Sequence, residues 1–402
     1  MKKIIFALFL FLSLPLFSQS KAPYVILISF DGFRWDYVNR GITPNLQKMI
    51  DNGVCALSLR PSFPSKTFPN HYSIISGMYP ENHGIISNSF TDPFTGEAYK
   101  LGDTVSVRDA KWYRSEAFWE TAERQGIKTA SYFWPGSEVT TEYRHPTYYK
   151  KYEHNKPYKE RIDTVAKWLS LPEKERPHFI TLYFDAADTY GHKFGPNSPE
   201  LNKAVAGLDS LVFYLKKNIE ETLLTESINI IIASDHGMTE ISPQRIIDVS
   251  KFIDVTEVEI SDGGPFMMIG TKTNGDSVYQ SLKNNLTNCS VYKKEEIPDY
   301  YHFSKNPFIK DILIIADMGW SLENGEGNKN EYRKGAHGYS NHQTDMHGIF
   351  IAEGKKFKNN FKSGTFWNTD IYPLLAKMFN IQPKNNIDGQ LERIEFILKE
   401  EE

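Results

Sequence analysis

The chain has 402 residues, 40% of them hydrophobic and 24% charged, the balance of an ordinary globular protein with length enough to bury a core without staples. Its formal net charge of −4 argues against a nucleic-acid polymer as main partner, since that partner favours a broad basic face. A small anionic substrate held by bound cations stays compatible.

Lys2 and Lys3 lead into an apolar run from Ile4 to Phe17, closed by Ser18-Gln19-Ser20. That is the pattern of a secretory signal peptide over residues 1–20, and the run is short for a spanning helix. The expectation is an exported protein, periplasmic or secreted, with residues 21–402 forming a single catalytic domain and no membrane span. Cys55 and Cys289 are the only cysteines. They read as buried free thiols, and so few in an exported chain fits a bacterial periplasm.

Next along the chain, short apolar runs alternate with helical patterns. Tyr24–Phe30, Ile127–Phe133, His178–Phe184, Ile228–Ala233 and Gly348–Ala352 read as buried strands. Pro44–Asn52, Pro69–Ser76, Ser115–Gln125, Lys159–Leu169, Ser198–Asn218 and Asn368–Phe379 read as helices. The alternation predicts an α/β fold with a mostly parallel sheet covered by helices on both faces. Ser89–Lys111, rich in Thr, Asp, Gly and Lys, reads as a surface insertion, and Ser250–Leu322 as a smaller subdomain with turns at Asp262-Gly263-Gly264 and Asn274-Gly275. Glu323–Gly335 is a polar loop.

Chemistry-bearing residues follow the strands. Asp31-Gly32 ends the first, Asp188 and His192 follow the third, and Ser234-Asp235-His236-Gly237 ends the fourth; His337 precedes the last. Open α/β sheets bind ligands at the carboxyl ends of their strands. Three aspartates and three histidines form a mixed O/N set that suits zinc, and six ligands divided equally would hold two ions. Two such ions clamp the attacking and leaving oxygens of a displacement at phosphorus. Each piece alone is ordinary: Asp-Gly is usually a turn, and Asp235-His236 could be a surface pair. The signal lies in the set.

Thr67, in Lys66-Thr67-Phe68-Pro69, reads as the N-cap of the helix that Pro69 opens. Plain capping explains it locally; beside a metal its hydroxyl would serve as nucleophile. Ser65 competes, but lies outside the expected helix start.

These motifs together resemble the nucleotide pyrophosphatase/phosphodiesterase family of the alkaline phosphatase superfamily. The resemblance runs from Tyr24 to Phe379 and rests on Ser29-Phe-Asp31-Gly-Phe-Arg, Lys66-Thr67-Phe-Pro-Asn-His71, Trp134-Pro-Gly-Ser, Asp188-x3-His192-x2-Gly-Pro, Ser234-Asp-His-Gly-Met and Gly335-Ala-His-Gly-Tyr. It implies an alkaline phosphatase-like three-layer sandwich with a smaller inserted subdomain. It further implies two Zn2+ per chain, one on Asp188, His192 and His337, the other on Asp31, Asp235 and His236 with Thr67 as bound nucleophile. Asn88 matches the side chain that stabilises the phosphoryl oxygen; Phe68 and Tyr152 match the rings that sandwich a base. The family's third histidine belongs to the His-Gly-Tyr motif, so His337 is preferred over His347. Ala187 stands where the family usually has proline, and Ser340 where many members have aspartate.

The implied activity is hydrolysis of nucleotide phosphodiester or pyrophosphate bonds to nucleoside 5′-monophosphates through a phospho-threonine. The charges of two zinc ions cancel those of three carboxylates and an ionised threonine, which favours a monoanionic diester over a dianionic monoester. Three alternatives stand beside it: a glycerophosphocholine-type headgroup phosphodiesterase, a phospho- or sulfo-transferase on the same fold, and a non-catalytic metal- or ligand-binding protein on the same fold.

Overall fold

The computed structural model describes residues 22–222, 224, 227–325, 333–384 and 386–400. The expected signal peptide and part of the loop Glu323–Gly335 lie outside the described residues. Among the described residues no helix is long and apolar enough to cross a membrane.

Twelve strands and eight helices organise the site. The strands are β1 (Tyr24–Phe30), β2 (Val54–Ala56), β3 (Thr129–Tyr132), β4 (Tyr148–Tyr149), β5 (Phe179–Phe184), β6 (Ile228–Ala233), β7 (Val258–Gly263), β8 (Phe266–Thr271), β9 (Cys289–Lys293), β10 (Ile312–Ala316), β11 (Phe350–Glu353) and β12 (Phe361–Ser363). The helices are α1 (Pro44–Asn52), α2 (Thr67–Ser76), α3 (Phe118–Arg124), α4 (Tyr158–Leu169), α5 (Ala186–Phe194), α6 (Pro199–Glu220), α7 (Gly275–Asn285) and α8 (Ile371–Phe379).

The main sheet has the order β12-β2-β11-β6-β1-β5-β3-β4. Every neighbouring pair is parallel except those made by β11, which runs against both β6 and β2. The central strands β1, β5 and β6 are buried along their whole length, as strands covered on both faces must be. Residue alternation along β1 divides the core. Val25 and Leu27 pack with Ile74, Ile75, Phe118 and Leu374 of α2, α3 and α8. Ile26, Ile28 and Phe30 pack with Leu46, Ile162, Val165 and Leu208 of α1, α4 and α6. This is the three-layer arrangement the alternation predicts.

Register then sets the level of the strand ends. Ser29 of β1 sits opposite Tyr183 of β5 and Ala233 of β6, so the segments that begin at Asp31, Asp185 and Ser234 leave one rim side by side.

The subdomain is a separate antiparallel sheet, β7-β8-β10-β9, with α7 on it and a core of Met267, Ile269, Leu282, Val291 and Ile314. The stretch Ser89–Lys111 departs from its reading as a surface insertion. It opens with a hairpin, Ser89–Thr91 paired antiparallel with Ala98–Lys100, whose Phe90 and Tyr99 are buried. Their rings stack at 5.0 Å, and Phe90 also stacks on Phe308 at 5.4 Å. Polar composition hid two anchoring aromatics. Cys55 and Cys289 are free and partly buried rather than fully buried.

Candidate active site

β1 ends at Phe30 and the chain turns at Asp31-Gly32, where Gly32 adopts φ +67°. A Cβ on Gly32 would lie 2.8 Å from the Asp188 Cα, so only glycine lets this turn meet α5. The Asp188 amide donates to the Asp31 carbonyl at 3.0 Å, which brings the two aspartates together. On α5, Asp188 and His192 stand at i and i+4 and share a face. Asp235 and His236 follow β6, and His337 follows Gly335–Ala336.

Ligand-type atoms of Asp188, His192 and His337 lie within 4.8 Å of one another; so do those of Asp31, Asp188 and His236, and those of Asp31, His71 and Asp235. The first group is one of the two trios expected from the sequence. The other expected trio is spread over the second and third groups, which share Asp31, and His71 joins it. In the sequence His71 closes the Lys66-Thr67-Phe-Pro-Asn-His71 motif, one turn after Thr67, with no role attached to it.

Hydrogen bonds orient the three imidazoles alike. Nδ1 of His192, His236 and His337 lies 2.8 Å from the carbonyls of Gly335, Gly237 and Ser65 respectively. A carbonyl only accepts, so each Nδ1 carries a proton and each ring turns its Nε2 inward; at His236 burial is outweighed by the Asp235 charge, which raises the imidazole above its ordinary value. Burial pushes the His192 and His337 imidazoles down from their ordinary values, which keeps them neutral. His236 Nε2 lies 3.0 Å from Asp235 Oδ2 and 3.4 Å from Asp31 Oδ1. Three buried carboxylate oxygens, Asp31 Oδ1, Asp188 Oδ1 and Asp235 Oδ2, accept no hydrogen bond. Buried polar atoms are normally satisfied, so inward-facing lone pairs and orphaned carboxylate oxygens fit one or more cations. The donor set, imidazole with carboxylate, is one that zinc accepts.

The carboxylates differ. Burial, then the charges of Asp235 and Asp188, raise the Asp31 carboxyl well above its ordinary range, while the Tyr183 hydroxyl donates to Asp31 Oδ2 at 2.6 Å. Burial opposes ionisation of Asp235 too, but His236 and His71 beside it outweigh burial and hold it well below that range.

Thr67 is not the N-cap. Lys66 occupies that position, and Thr67 is the first helical residue of α2. Its hydroxyl, free of capping, lies 3.3 Å from His236 Nε2. Ser65, the competing hydroxyl, is buried and donates to the Tyr339 carbonyl at 2.9 Å. The Asn88 carboxamide oxygen accepts from the Phe68 amide at 3.0 Å, which ties it to the residue after Thr67. His347 stands outside these groups: its Nδ1 meets the Ser58 hydroxyl at 2.8 Å and its Nε2 the Asn341 carbonyl at 3.1 Å.

A cleft of about 430 Å³ opens beside Thr67 and is lined by Phe68, Trp134 and Tyr152, with Leu101 and Val107 from the insertion. Phe68 rests edge-on against Tyr99, with ring centroids 6.3 Å apart. Tyr152 is half-exposed and meets Phe133 edge-on at 5.0 Å. A second opening of about 390 Å³ shares Thr67 and Asp188 but is lined by Lys66, Asn88 and Arg333.

Strand ends that gather carboxylates and imidazoles around a threonine hydroxyl that caps no helix point to a phosphodiester hydrolase, an enzyme class that the comparisons with known proteins bear out. A family model described as type I phosphodiesterase / nucleotide pyrophosphatase matches residues 25–340. Human ectonucleotide pyrophosphatase/phosphodiesterase family member 5 is 34% identical over 90% of this chain and 76% of its own length. Its solved structure superposes with a TM-score of 0.89, covering 94% of this chain and all of that one, at 33% identity. The bis(5′-adenosyl)-triphosphatase enpp4 of Xenopus laevis is 34% identical over 92% of this chain and 80% of its own length. The murine member 5, solved as an inactive threonine-to-alanine variant in complex with AMP, has a TM-score of 0.89 at 32% identity over 94% of this chain and all of that one. The chain belongs to the nucleotide pyrophosphatase/phosphodiesterase family of the alkaline phosphatase superfamily.

Proposed function

We propose that this protein is an exported, zinc-dependent nucleotide pyrophosphatase/phosphodiesterase, its catalytic domain spanning residues 21–402, that releases nucleoside 5′-monophosphates through a covalent intermediate on Thr67. The observation that carries the reading is the inward convergence of Asp31, Asp188, His192, Asp235, His236 and His337 around a hydroxyl that caps nothing. Asp188, His192 and His337 would hold one zinc ion; Asp31, Asp235 and His236 would hold the other beside Thr67. Bound there, such ions ease ionisation of a hydroxyl and offset charge on the attacking and leaving oxygens. Thr67 Oγ attacks phosphorus while the bond to the leaving oxygen breaks, and water then displaces Thr67 to give net retention. Asn88, tethered through the Phe68 amide, presents its amide group to the phosphoryl oxygen.

The two openings support a nucleotide. The aromatic cleft, with Phe68 and Tyr152, accommodates a base. The second, with Arg333 and with Lys66, which lies 3.7 Å from Asp262, suits an anionic leaving group chiefly through Arg333. A choline headgroup would need free carboxylates among the rings, yet Glu138 is held by Arg108 at 2.7 Å and Asp185 lies 3.8 Å from Arg161. Turnover of ATP, a dinucleoside polyphosphate, glycerophosphocholine, an aryl diester and the matching aryl monoester tests the reading. Nucleotides and the aryl diester should be cleaved far faster than the monoester. Preference for glycerophosphocholine would move the protein to headgroup chemistry.

A further inference from the structure

His71 has the same tautomer as the three inward-facing histidines and the opposite connection. Its Nδ1 lies 2.9 Å from the Thr67 carbonyl, which only accepts, so Nδ1 carries the proton. The same N–H edge lies 3.3 Å from Asp235 Oδ2. Its Nε2 meets the Ser29 hydroxyl at 2.7 Å, and in the neutral ring that nitrogen accepts the hydroxyl proton. Where His192, His236 and His337 turn Nε2 towards carboxylates, His71 has both nitrogens occupied and is no ligand.

Its surroundings leave the ring no freedom. His71 and Ser29 are fully buried, and Trp134 and Tyr183 meet the imidazole edge-on at 5.0 and 5.4 Å. The Trp134 indole N–H donates to the His71 carbonyl at 2.9 Å. Ser29 lies two residues before Asp31, next to the end of β1 at Phe30.

We propose that His71, set by Ser29, is a positioning residue that joins the first turn of α2 to the strand-end loop carrying Asp235, and so fixes Thr67 relative to the Asp31/Asp235/His236 site. The inference rests on the metal reading above. Hydrogen-bonded partners behind metal ligands typically carry ~10–100-fold of metal affinity or activity.

Two substitutions separate positioning from filling space. His71→Asn places an amide N–H where Nδ1–H stands; His71→Gln places it towards Nε2. Each variant is purified, loaded with zinc and dialysed against a graded chelator, with retained zinc per chain, kcat for an aryl diester and apo-protein melting temperature measured. His71→Gln should lose zinc at ~10-fold lower chelator concentration than wild type, with kcat reduced by at least as much. His71→Asn should keep zinc retention and kcat within ~3-fold of wild type, although both variants lower the apo melting temperature. Ser29→Ala should shift zinc retention in the same direction as His71→Gln, by less. Equal losses in His71→Asn and His71→Gln, or wild-type retention in both, would overturn the inference while leaving the metal reading intact. A wild-type protein that takes up no zinc would overturn both.

Discussion

His192 and His337 face each other through their Nε2 atoms at 3.1 Å, although each ring has already given its Nδ1 proton to a main-chain carbonyl. Two lone pairs cannot hydrogen-bond; a shared cation between them turns repulsion into coordination. Elemental analysis of protein purified in zinc-supplemented buffer should find about two zinc per chain. His337→Ala should lose one equivalent and most activity. His347→Ala should keep both, because Ser58 and Asn341 occupy both its nitrogens. The reverse ranking would reassign the third histidine.

Thr67→Ala removes a hydroxyl that supports no helix cap, so folding should be nearly unaffected. Diester turnover should fall by more than ~1,000-fold, as loss of a nucleophile does, with zinc content unchanged. A variant retaining a tenth of the wild-type rate would place the nucleophile elsewhere.

Phe68 and Tyr152 line the aromatic cleft, and stacking contributes ~1–3 kcal/mol per base with little regard for base identity. Phe68→Ala and Tyr152→Ala should each lower kcat/KM for a nucleotide aryl ester by ~10-fold, and leave a base-free aryl diester nearly unchanged. Equal losses on both substrates would remove the base slot.

His83 is fully buried and accepts a hydrogen bond from the Ile85 amide at 3.1 Å through Nδ1. Burial pushes its imidazole down to about 3, below the ~6.5 of an unfolded chain. The unfolded state therefore binds the extra proton first. His83's contribution to stability is full above pH ~6.5, declines as pH falls, and is spent once pH passes below about 3. Within that window its slope approaches ~1.4 kcal/mol per pH unit. In chelator-treated protein, His83→Asn, which can still accept from Ile85, should show a flatter loss of urea midpoint between pH 6.5 and 4. An unchanged slope would assign the acid sensitivity to other groups.

Much of the rim was readable because buried parallel strands announce themselves. Tyr24–Phe30 and Ile228–Ala233 are continuous apolar runs, and both occupy the residues expected. Asp31, Asp235 and His236 stand out by following them. α5 was not legible as a helix. It is short, carries Gly191 in its middle and shows no clean apolar stripe, since tertiary contact with the Asp31 turn helps to define it. The Thr67 cap was misread by one position because Pro69 marks a helix start only to within a turn. His71 had no role assigned from the sequence, because its contacts to Ser29 and Asp235 cross between strands and a helix far apart in sequence, which no local pattern contains.

The contact of Gly32 with α5 limits what residue 32 can be. Asp31 and Asp188 belong to segments more than 150 residues apart in sequence, yet an amide-to-carbonyl bond of 3.0 Å joins their main chains. A single added methyl at residue 32 would meet the Asp188 main chain at 2.8 Å and strain the join between the two aspartate-bearing segments. The seam between the first strand and α5 therefore takes glycine at residue 32, just as the approach to His337 takes glycine at residue 335, where a Cβ would run into the Gly191 carbonyl oxygen.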